Sequence, residues 1–211
     1  MGCAVRRTEK FWDRLAKRYA KTPIKNVEAY QQTIDQAKAY LGADDTVLEV
    51  GCGTGSTALL LAGAVKQITA TDISSNMIAI GKEKAEIQGV SNVRFLKGTL
   101  ADEIPLSGQY DAVLAFNILH LLEDLPHSIQ LIKEQVRPGG LVISKTVCMA
   151  GASGFWRFLL PIMQVLRIAP YVSFLSVEEL EGYFQAGGFE IVEATTYPAS
   201  PPSRFIIARS L

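Results

Sequence analysis

Three glycines spaced two apart, Gly51, Gly53 and Gly55, follow the apolar run Val47-Leu48-Glu49-Val50, and an acid, Asp72, stands 17 residues beyond the last of them. Residues of these types in this order could hold a cofactor. Glycine has no side chain, so a loop built on it turns sharply and lets a ligand approach the backbone. The loop Gly51-Cys52-Gly53-Thr54-Gly55 leads into a helix start near Ser56, whose positive end points back at the same place. Two chemistries compete for such a loop. A dinucleotide fingerprint is GxGxxG with an acid about 20 residues later, but Ser56 stands where its third glycine belongs.

Glu49 decides between them. A carboxylate two residues before the first glycine repels a pyrophosphate and suits a ligand carrying an ammonium group. S-adenosylmethionine has an α-ammonium and a sulfonium and no phosphate, so the charge pattern points to it. Asp72 ends the run Ala70-Thr71-Asp72, at the carboxyl end of a strand where open α/β sheets bind their ligands. A carboxylate there can accept from both ribose hydroxyls. The other reading of Asp72 is a turn or cap acid, a task that Ser74 or Ser75 can perform instead. A nicotinamide-dependent oxidoreductase, and a protein that binds S-adenosylmethionine without turning it over, are the alternatives to an S-adenosylmethionine-dependent enzyme.

The elements that must position these residues follow from periodicity. Apolar runs predict strands at 46–50, 67–72, 92–97, 110–116 and 140–146, with helices near 56–65, 76–88 and 125–136 between them. Such alternation argues for a parallel sheet covered on both faces. Asp124 and Pro126 open the helix at 125, and Pro138-Gly139-Gly140 marks a break before the fifth strand. Upstream, 8–21 reads as a two-faced helix, with Phe11, Trp12, Leu15, Ala16 and Tyr19 on one arc and Arg14, Lys17, Arg18 and Lys21 opposite. A second helix covers 27–41. Downstream, 155–169 reads as an apolar helix, Ser176-Val177-Glu178-Glu179 as a capping box, and 189–197 with 204–208 as an antiparallel pair joined through Pro198–Pro202.

The chain resembles the class I S-adenosylmethionine-dependent methyltransferases of the small single-domain type. The resemblance rests on LEVGCGTGS (48–56), TATDISSNMI (69–78), YDAVLAFNILHLL (110–122), VRPGGLVIS (136–144) and FLSVEELEGYFQAGGFE (174–190), which follow one another in the family's order. It implies one domain over 1–211: a doubly wound, Rossmann-like α/β fold whose seven-stranded, mainly parallel sheet has helices on both faces and an antiparallel last strand. Residues 1–42 would form a helical cap and 147–175 a helical cover over the acceptor pocket. Glu49, Gly51, Cys52, Gly53 and Gly55 would cradle the methionine part, and Asp72 the ribose. Ile73 and Met77 would pack on the adenine, and Phe116 and Asn117 would border the sulfonium. Many relatives carry an Asp after the third strand for the adenine amine. Here the chain reads Gly98-Thr99-Leu100, so that contact passes to Thr99 or to the backbone around Leu100.

Methyl transfer from a sulfonium is a displacement on an activated group, and a base is needed only when the nucleophile must lose a proton. Of the two histidines, His120 follows the fourth strand and is the candidate base, and its other reading is a packing or loop-holding residue. Tyr19 is a candidate lid over the cofactor, as in similar proteins, or a core aromatic. The acceptor is expected to be a small molecule, apolar or amphipathic. The Asn/Asp-Pro-Pro-aromatic run of nucleobase-methylating relatives is replaced by Asn117-Ile118-Leu119-His120, and charge is balanced at 21 basic and 21 acidic residues, so no nucleic-acid partner is indicated. Three dispersed cysteines, Cys3, Cys52 and Cys148, suit a reducing compartment and no metal site. The start Met-Gly-Cys has Arg6 where a myristoylation signal needs Ser or Thr, and Phe155–Leu175 is broken by Arg157, Pro161, Arg167 and Pro170, so a cytoplasmic protein is expected. For 155–169, three readings stand open: core or homo-oligomer interface, wall of the acceptor pocket, and contact with a membrane surface.

Overall fold

Seven strands form a single sheet in the order β3-β2-β1-β4-β5-β7-β6. They are β1 (Thr46–Val50), β2 (Gln67–Asp72), β3 (Val93–Lys97), β4 (Tyr110–Phe116), β5 (Val136–Val147), β6 (Phe189–Ala199) and β7 (Pro202–Ser210). The first five run parallel, and β7 lies antiparallel between β5 and β6. Helices α1 (Cys3–Lys21), α2 (Val27–Ala39), α3 (Ser56–Leu61), α4 (Ser75–Gln88), α5 (Leu125–Gln135), α6 (Gly154–Val165) and α7 (Val177–Ala186) complete the chain. The structure, a computed structural model, describes residues 3–24, 26–102, 109–151, 154–165, 168–199 and 202–211.

Period-two alternation sorts the strand residues onto two cores. Val47, Ile68, Ala112, Leu114, Phe116, Ile143 and Phe205 pack with Ile34 and Ala37 of α2 and with Ala58 and Leu59 of α3. Leu48, Val50, Val113, Ala115, Val142 and Ile206 pack on the other face with Ile129 and Ile132 of α5 and Leu180 and Phe184 of α7. Burial on both faces is why the parallel strands read as unbroken apolar runs. The same parity places Glu49, one strand step from Val47, on the α3 face, where no polar residue is needed for folding.

Side chains satisfy the helix starts where the sequence offers them. Ser74 accepts from Met77 N at 3.1 Å, Asp124 from His127 N at 3.0 Å, and Ser176 with Glu179 closes a full capping box. Several boundaries differ from the sequence reading. The N-terminal helix begins at Cys3, five residues earlier than its apolar stripe suggested. The helix after the glycine loop stops at Leu61 and continues as a 3₁₀ turn over Ala62–Ala64. Pro138-Gly139-Gly140 is no break: β5 runs through it, with Tyr110 paired to Val136 and Ala112 already paired to Leu141. The extra residues bulge outward. Gly140 is required there, because a Cβ would lie 2.8 Å from the Asp111 carbonyl.

The apolar helix of the C-terminal half is observed as α6, ending at Val165. Leu160 is buried while Phe158 is 74% exposed and Ile162 turns outward one turn later. The side chains of Phe155, Trp156 and Arg157, and Arg167 altogether, lie outside the described residues, as do Ser200 and Pro201 of the β6–β7 connection and Met1 and Gly2. Among the described residues no helix is long and apolar enough to cross a membrane.

Candidate functional site

The strand order reverses its direction of growth at β1, which has β2 on one side and β4 on the other. A cleft opens outside the strand ends at such a point, and the glycine loop fills its floor. Gly51, Gly53 and Gly55 all have positive φ, at 65°, 54° and 72°. Two of them make room for neighbours rather than for a ligand. A Cβ at Gly51 would strike Ile118 at 2.7 Å, and one at Gly55 would strike Phe95 at 2.4 Å. Gly53 faces the cleft, and the nearest atom to a Cβ there would be Cε1 of Tyr19 at 3.6 Å. Lys84 of α4 braces the loop by donating to Thr54 Oγ1 at 2.8 Å and Ser56 Oγ at 3.1 Å.

Two carboxylates flank this floor and are held differently. Asp72 accepts from Gly53 N at 2.9 Å through Oδ2 and from Ser74 N at 2.8 Å through Oδ1, so the second strand end and the loop are fixed to one another. Burial raises its pKa and those two N–H donors pull it back down. Glu49 is 2% exposed, and its Oε2 is buried without a partner. Burial pushes its carboxyl up to about 8, with the nearby Asp72 adding to the rise and a hydrogen bond from the Ala58 backbone opposing it. An orphaned acid oxygen inside a glycine cradle is costly unless a cation completes it. The α-ammonium of S-adenosylmethionine fits that need, whereas a pyrophosphate brings charge of the wrong sign.

Helix α1 closes one side of the cleft. Asp13 Oδ1 accepts from the Ser74 hydroxyl at 2.6 Å and from Asn76 N at 3.0 Å, and the Asn76 amide donates to the Asp13 carbonyl at 3.1 Å. Glu9 pairs with Lys97 at 2.6 Å. These bonds tie the helix across the ends of β2 and β3 and set Tyr19 above Gly53. Tyr19 is 54% exposed, so it is not a core aromatic, and its ring edge stands over Gly53. Partial desolvation against the loop, and then the Asp72 and Glu49 charges, push its phenol up. Sequence reasoning missed Asp13, which sits between basic neighbours on what reads as a solvated face. Asp13→Ala is expected to lower S-adenosylmethionine affinity about fivefold and to cost about 1 kcal/mol of stability, as loss of a helix-start partner does. Calorimetric titration and faster protease cleavage within 3–21 would check it.

The remaining expected residues are placed as follows. Cys52 turns its thiol inward toward the Gly53 carbonyl, so only its backbone belongs to the loop, with N–H given to Thr71 O at 2.9 Å. Ile73 is half-buried at the cleft, whereas Met77 is 2% exposed and packs in the interior. The Thr99 hydroxyl is committed to Asp102 Oδ2 at 2.9 Å, which also accepts Thr99 N at 2.7 Å. Asp102 is exposed and holds this turn, and Leu100 beside it is half-buried. Phe116 is buried at the end of β4, and Asn117 after it is exposed with φ at 56°, uncommon for a side-chain-bearing residue. Its N–H donates to Lys145 O at 2.7 Å. His120 lies in the following 3₁₀ turn with Nδ1 buried and unpartnered. Burial pulls the imidazole down to about 4, so it is neutral at pH 7 and a weak proton acceptor. Its carbonyl accepts Ser173 N at 2.8 Å, tying residues beyond α6 to this loop.

Beside the cleft a cavity of about 200 Å³ lies between α2, the ends of β4 and β5, Pro198 of β6 and Ser203 of β7. Tyr30, Thr57, Phe116, Asn117, Lys145 and Pro198 are among its walls. Thr57, in the first turn after the glycine loop, and Phe116 and Asn117, at the end of β4, bring this cavity up to the strand ends beside the loop. Lys145 was not foreseen, although Leu141, Ile143 and Lys145 alternate onto one apolar face and the odd member was visible there.

A sheet with this strand order, an orphaned acid in the strand before the glycine turn and a second acid at the next strand end together define an S-adenosylmethionine-dependent methyltransferase. The chain belongs to the methyltransferase domain family, whose pattern matches residues 16–194. It is 28% identical over 171 residues to the demethylmenaquinone methyltransferase of Bacillus cereus strain AH187, covering 71% of this chain and 72% of that one. An uncharacterized Synechococcus protein is 32% identical over 99 residues, a match spanning 46% of this chain and 24% of the relative's length. The crystal structure of the YcgJ protein of Bacillus subtilis shares the fold with a TM-score of 0.71 at 16% identity, covering 85% of this chain and 98% of that one.

Proposed function

We propose that this protein transfers a methyl group from S-adenosylmethionine to a small, apolar or amphipathic acceptor seated in the cavity beside the glycine loop. The observation that carries the reading is the buried, unpartnered Glu49 carboxyl at the end of β1, just before the glycine turn, together with a cavity lined by Thr57, Phe116 and Asn117. S-adenosylmethionine, when bound, supplies an already activated methyl on a sulfonium. The protein's part is then to orient and to exclude water. Glu49 would hold the ammonium end, Asp72 the ribose, Ile73 the adenine face, and Tyr19 the outer side of the loop. Phe116 and Asn117 would separate cofactor from acceptor. His120, held neutral by burial, serves better to fix the loop against residues 168–175 than to take a proton. The name of the Bacillus relative, a methyltransferase of demethylmenaquinone, supports an acceptor with apolar character.

Titration with S-adenosylmethionine, S-adenosylhomocysteine and NAD tests the cofactor. The first two are expected to bind and NAD to give no heat, and NAD binding with no response to the others would overturn the proposal. Methyl-labelled S-adenosylmethionine offered with a panel of small acceptors then separates an enzyme from a protein that only binds it.

A further inference from the structure

Lys145 is buried to 8% exposure at the end of β5, where strand parity calls for an apolar residue. Its ammonium donates to Thr33 Oγ1 at 2.7 Å and to the Ala29 carbonyl at 3.2 Å, both on α2, and lies 4.5 Å from the centre of the Tyr197 ring. Two of its three protons are used. Among the described residues no carboxylate comes within ion-pair distance of it. A cation removed from water and given only neutral partners is expensive to keep. Lys145 lines the cavity of about 200 Å³, which also meets Thr57 of α3 and Phe116 and Asn117 of the β4 end.

We propose that Lys145 anchors an anionic oxygen of the methyl acceptor, so that the substrate class is a small molecule with an apolar body and one carboxylate or acidic enol or phenol. This deepens the methyltransferase reading and rests on it. The cavity walls supply the rest of the match. Ile24, Ile34, Phe116 and Pro198 offer apolar surface for the body, while the ammonium is the only charged group among the described lining residues. A volume of 200 Å³ is below the roughly 300–1,000 Å³ of drug-sized ligand sites, so the body is small, or only the head of a longer amphipath enters. Burial lowers the lysine pKa, and an oxyanion beside it would restore the charged form. The Tyr197 ring, fixed by its hydroxyl donating to Gln36 Oε1, faces the ammonium from one side, and α2 holds it from another. The lysine is thus pointed by its surroundings and is not free to swing into water.

The test uses the full chain with S-adenosylhomocysteine bound, titrated with benzoate, 4-nitrophenolate and the neutral isostere benzamide. Benzoate or 4-nitrophenolate is expected to bind at least tenfold more tightly than benzamide, and the tighter of the two identifies the oxyanion as carboxylate or acidic hydroxyl. Lys145→Met is expected to abolish that preference, leaving S-adenosylmethionine affinity within about threefold of the parent. Lys145→Arg, which keeps the charge and covers the case in which methionine unfolds the site, is expected to retain part of it. Equal binding of benzamide and the anions, or an unchanged preference in Lys145→Met, would overturn the assignment. Failure of the parent protein to bind S-adenosylmethionine at all would instead overturn the methyltransferase reading.

Discussion

Replacing Glu49 with glutamine is expected to weaken S-adenosylmethionine binding about 30-fold, the scale of one buried charge-assisted hydrogen bond, and at the same time to raise the melting temperature of the ligand-free protein. The two effects share one cause. The carboxyl is buried with Oε2 unpartnered, and its pKa rises from 4.5 in a solvated chain to about 8 in the fold. The folded state therefore holds an extra proton between those values. Stability from this group is fully present below about pH 4.5 and is lost as pH rises through about 8. At pH 7 that loss is on the order of 3 kcal/mol. Glutamine has the shape of the protonated acid and never ionises, so Glu49→Gln recovers part of it. A gain of about 5 °C is expected in a domain of this size, read by thermal melts at pH 7.5, with the difference vanishing near pH 4.5.

The same proton governs binding. An ammonium ligand needs the ionised carboxylate, so binding releases the proton that the empty site holds. Affinity is expected to rise from pH 6 to 7.5, by up to about tenfold per unit, and the rise is expected to be absent in Glu49→Gln. Titrations in two buffers of different ionisation enthalpy measure the proton directly. A pH-independent affinity in the parent protein would show that Glu49 does not meet the ammonium.

The features that could be read from the sequence are those fixed by local pattern. The parallel strands announce themselves because both faces are buried, and the Gly51–Gly55 turn because positive φ at three positions leaves glycine little competition. Asp72 was legible because a strand end fixes where its side chain goes. The rest depends on pairs far apart in the chain. Asp13 meets Ser74 and Asn76 across more than 60 residues, and its own helix gives no sign of it. Lys145 looks like a solvated residue near a strand end until α2 folds over it and supplies Thr33 and Ala29. The sequence leaves the adenine contact to Thr99 or to the backbone, and nothing in it signals that the Thr99 hydroxyl donates to Asp102 three residues on. His120 stands open in the sequence as a base or as a loop-holding residue, and burial, which pulls its imidazole down to about 4, favours the second. Residue type fixes what a group can do. The packing around it fixes its protonation state and its free valence.

Asp72→Ala is expected to cost at least 100-fold in S-adenosylmethionine affinity, about 3 kcal/mol, and to lower the melting temperature, opposite in sign to the Glu49 variant. Both residues are acids raised by burial, so charge alone would give them the same sign. The difference lies in their partners. Glu49 Oε2 receives nothing, whereas each oxygen of Asp72 accepts a backbone N–H, from Gly53 at 2.9 Å and from Ser74 at 2.8 Å. Removing Asp72 leaves two donors without their acceptor, at roughly 1–3 kcal/mol for each that stays out of water. It also frees the glycine loop from the second strand end, so the ammonium site is lost along with the ribose contact. Asp72→Asn separates the two contributions. One amide oxygen can still serve one N–H, but the amide nitrogen faces the other as donor against donor. Its melting temperature is expected between those of the parent and Asp72→Ala, with affinity as low as in Asp72→Ala. Adenosine, which has the ribose and no ammonium, provides the control: its binding is expected to fall in both Asp72 variants and to be unaffected in Glu49→Gln. If adenosine binding survived Asp72→Ala while S-adenosylmethionine binding fell, Asp72 would be holding the loop alone and the ribose contact would have to lie elsewhere.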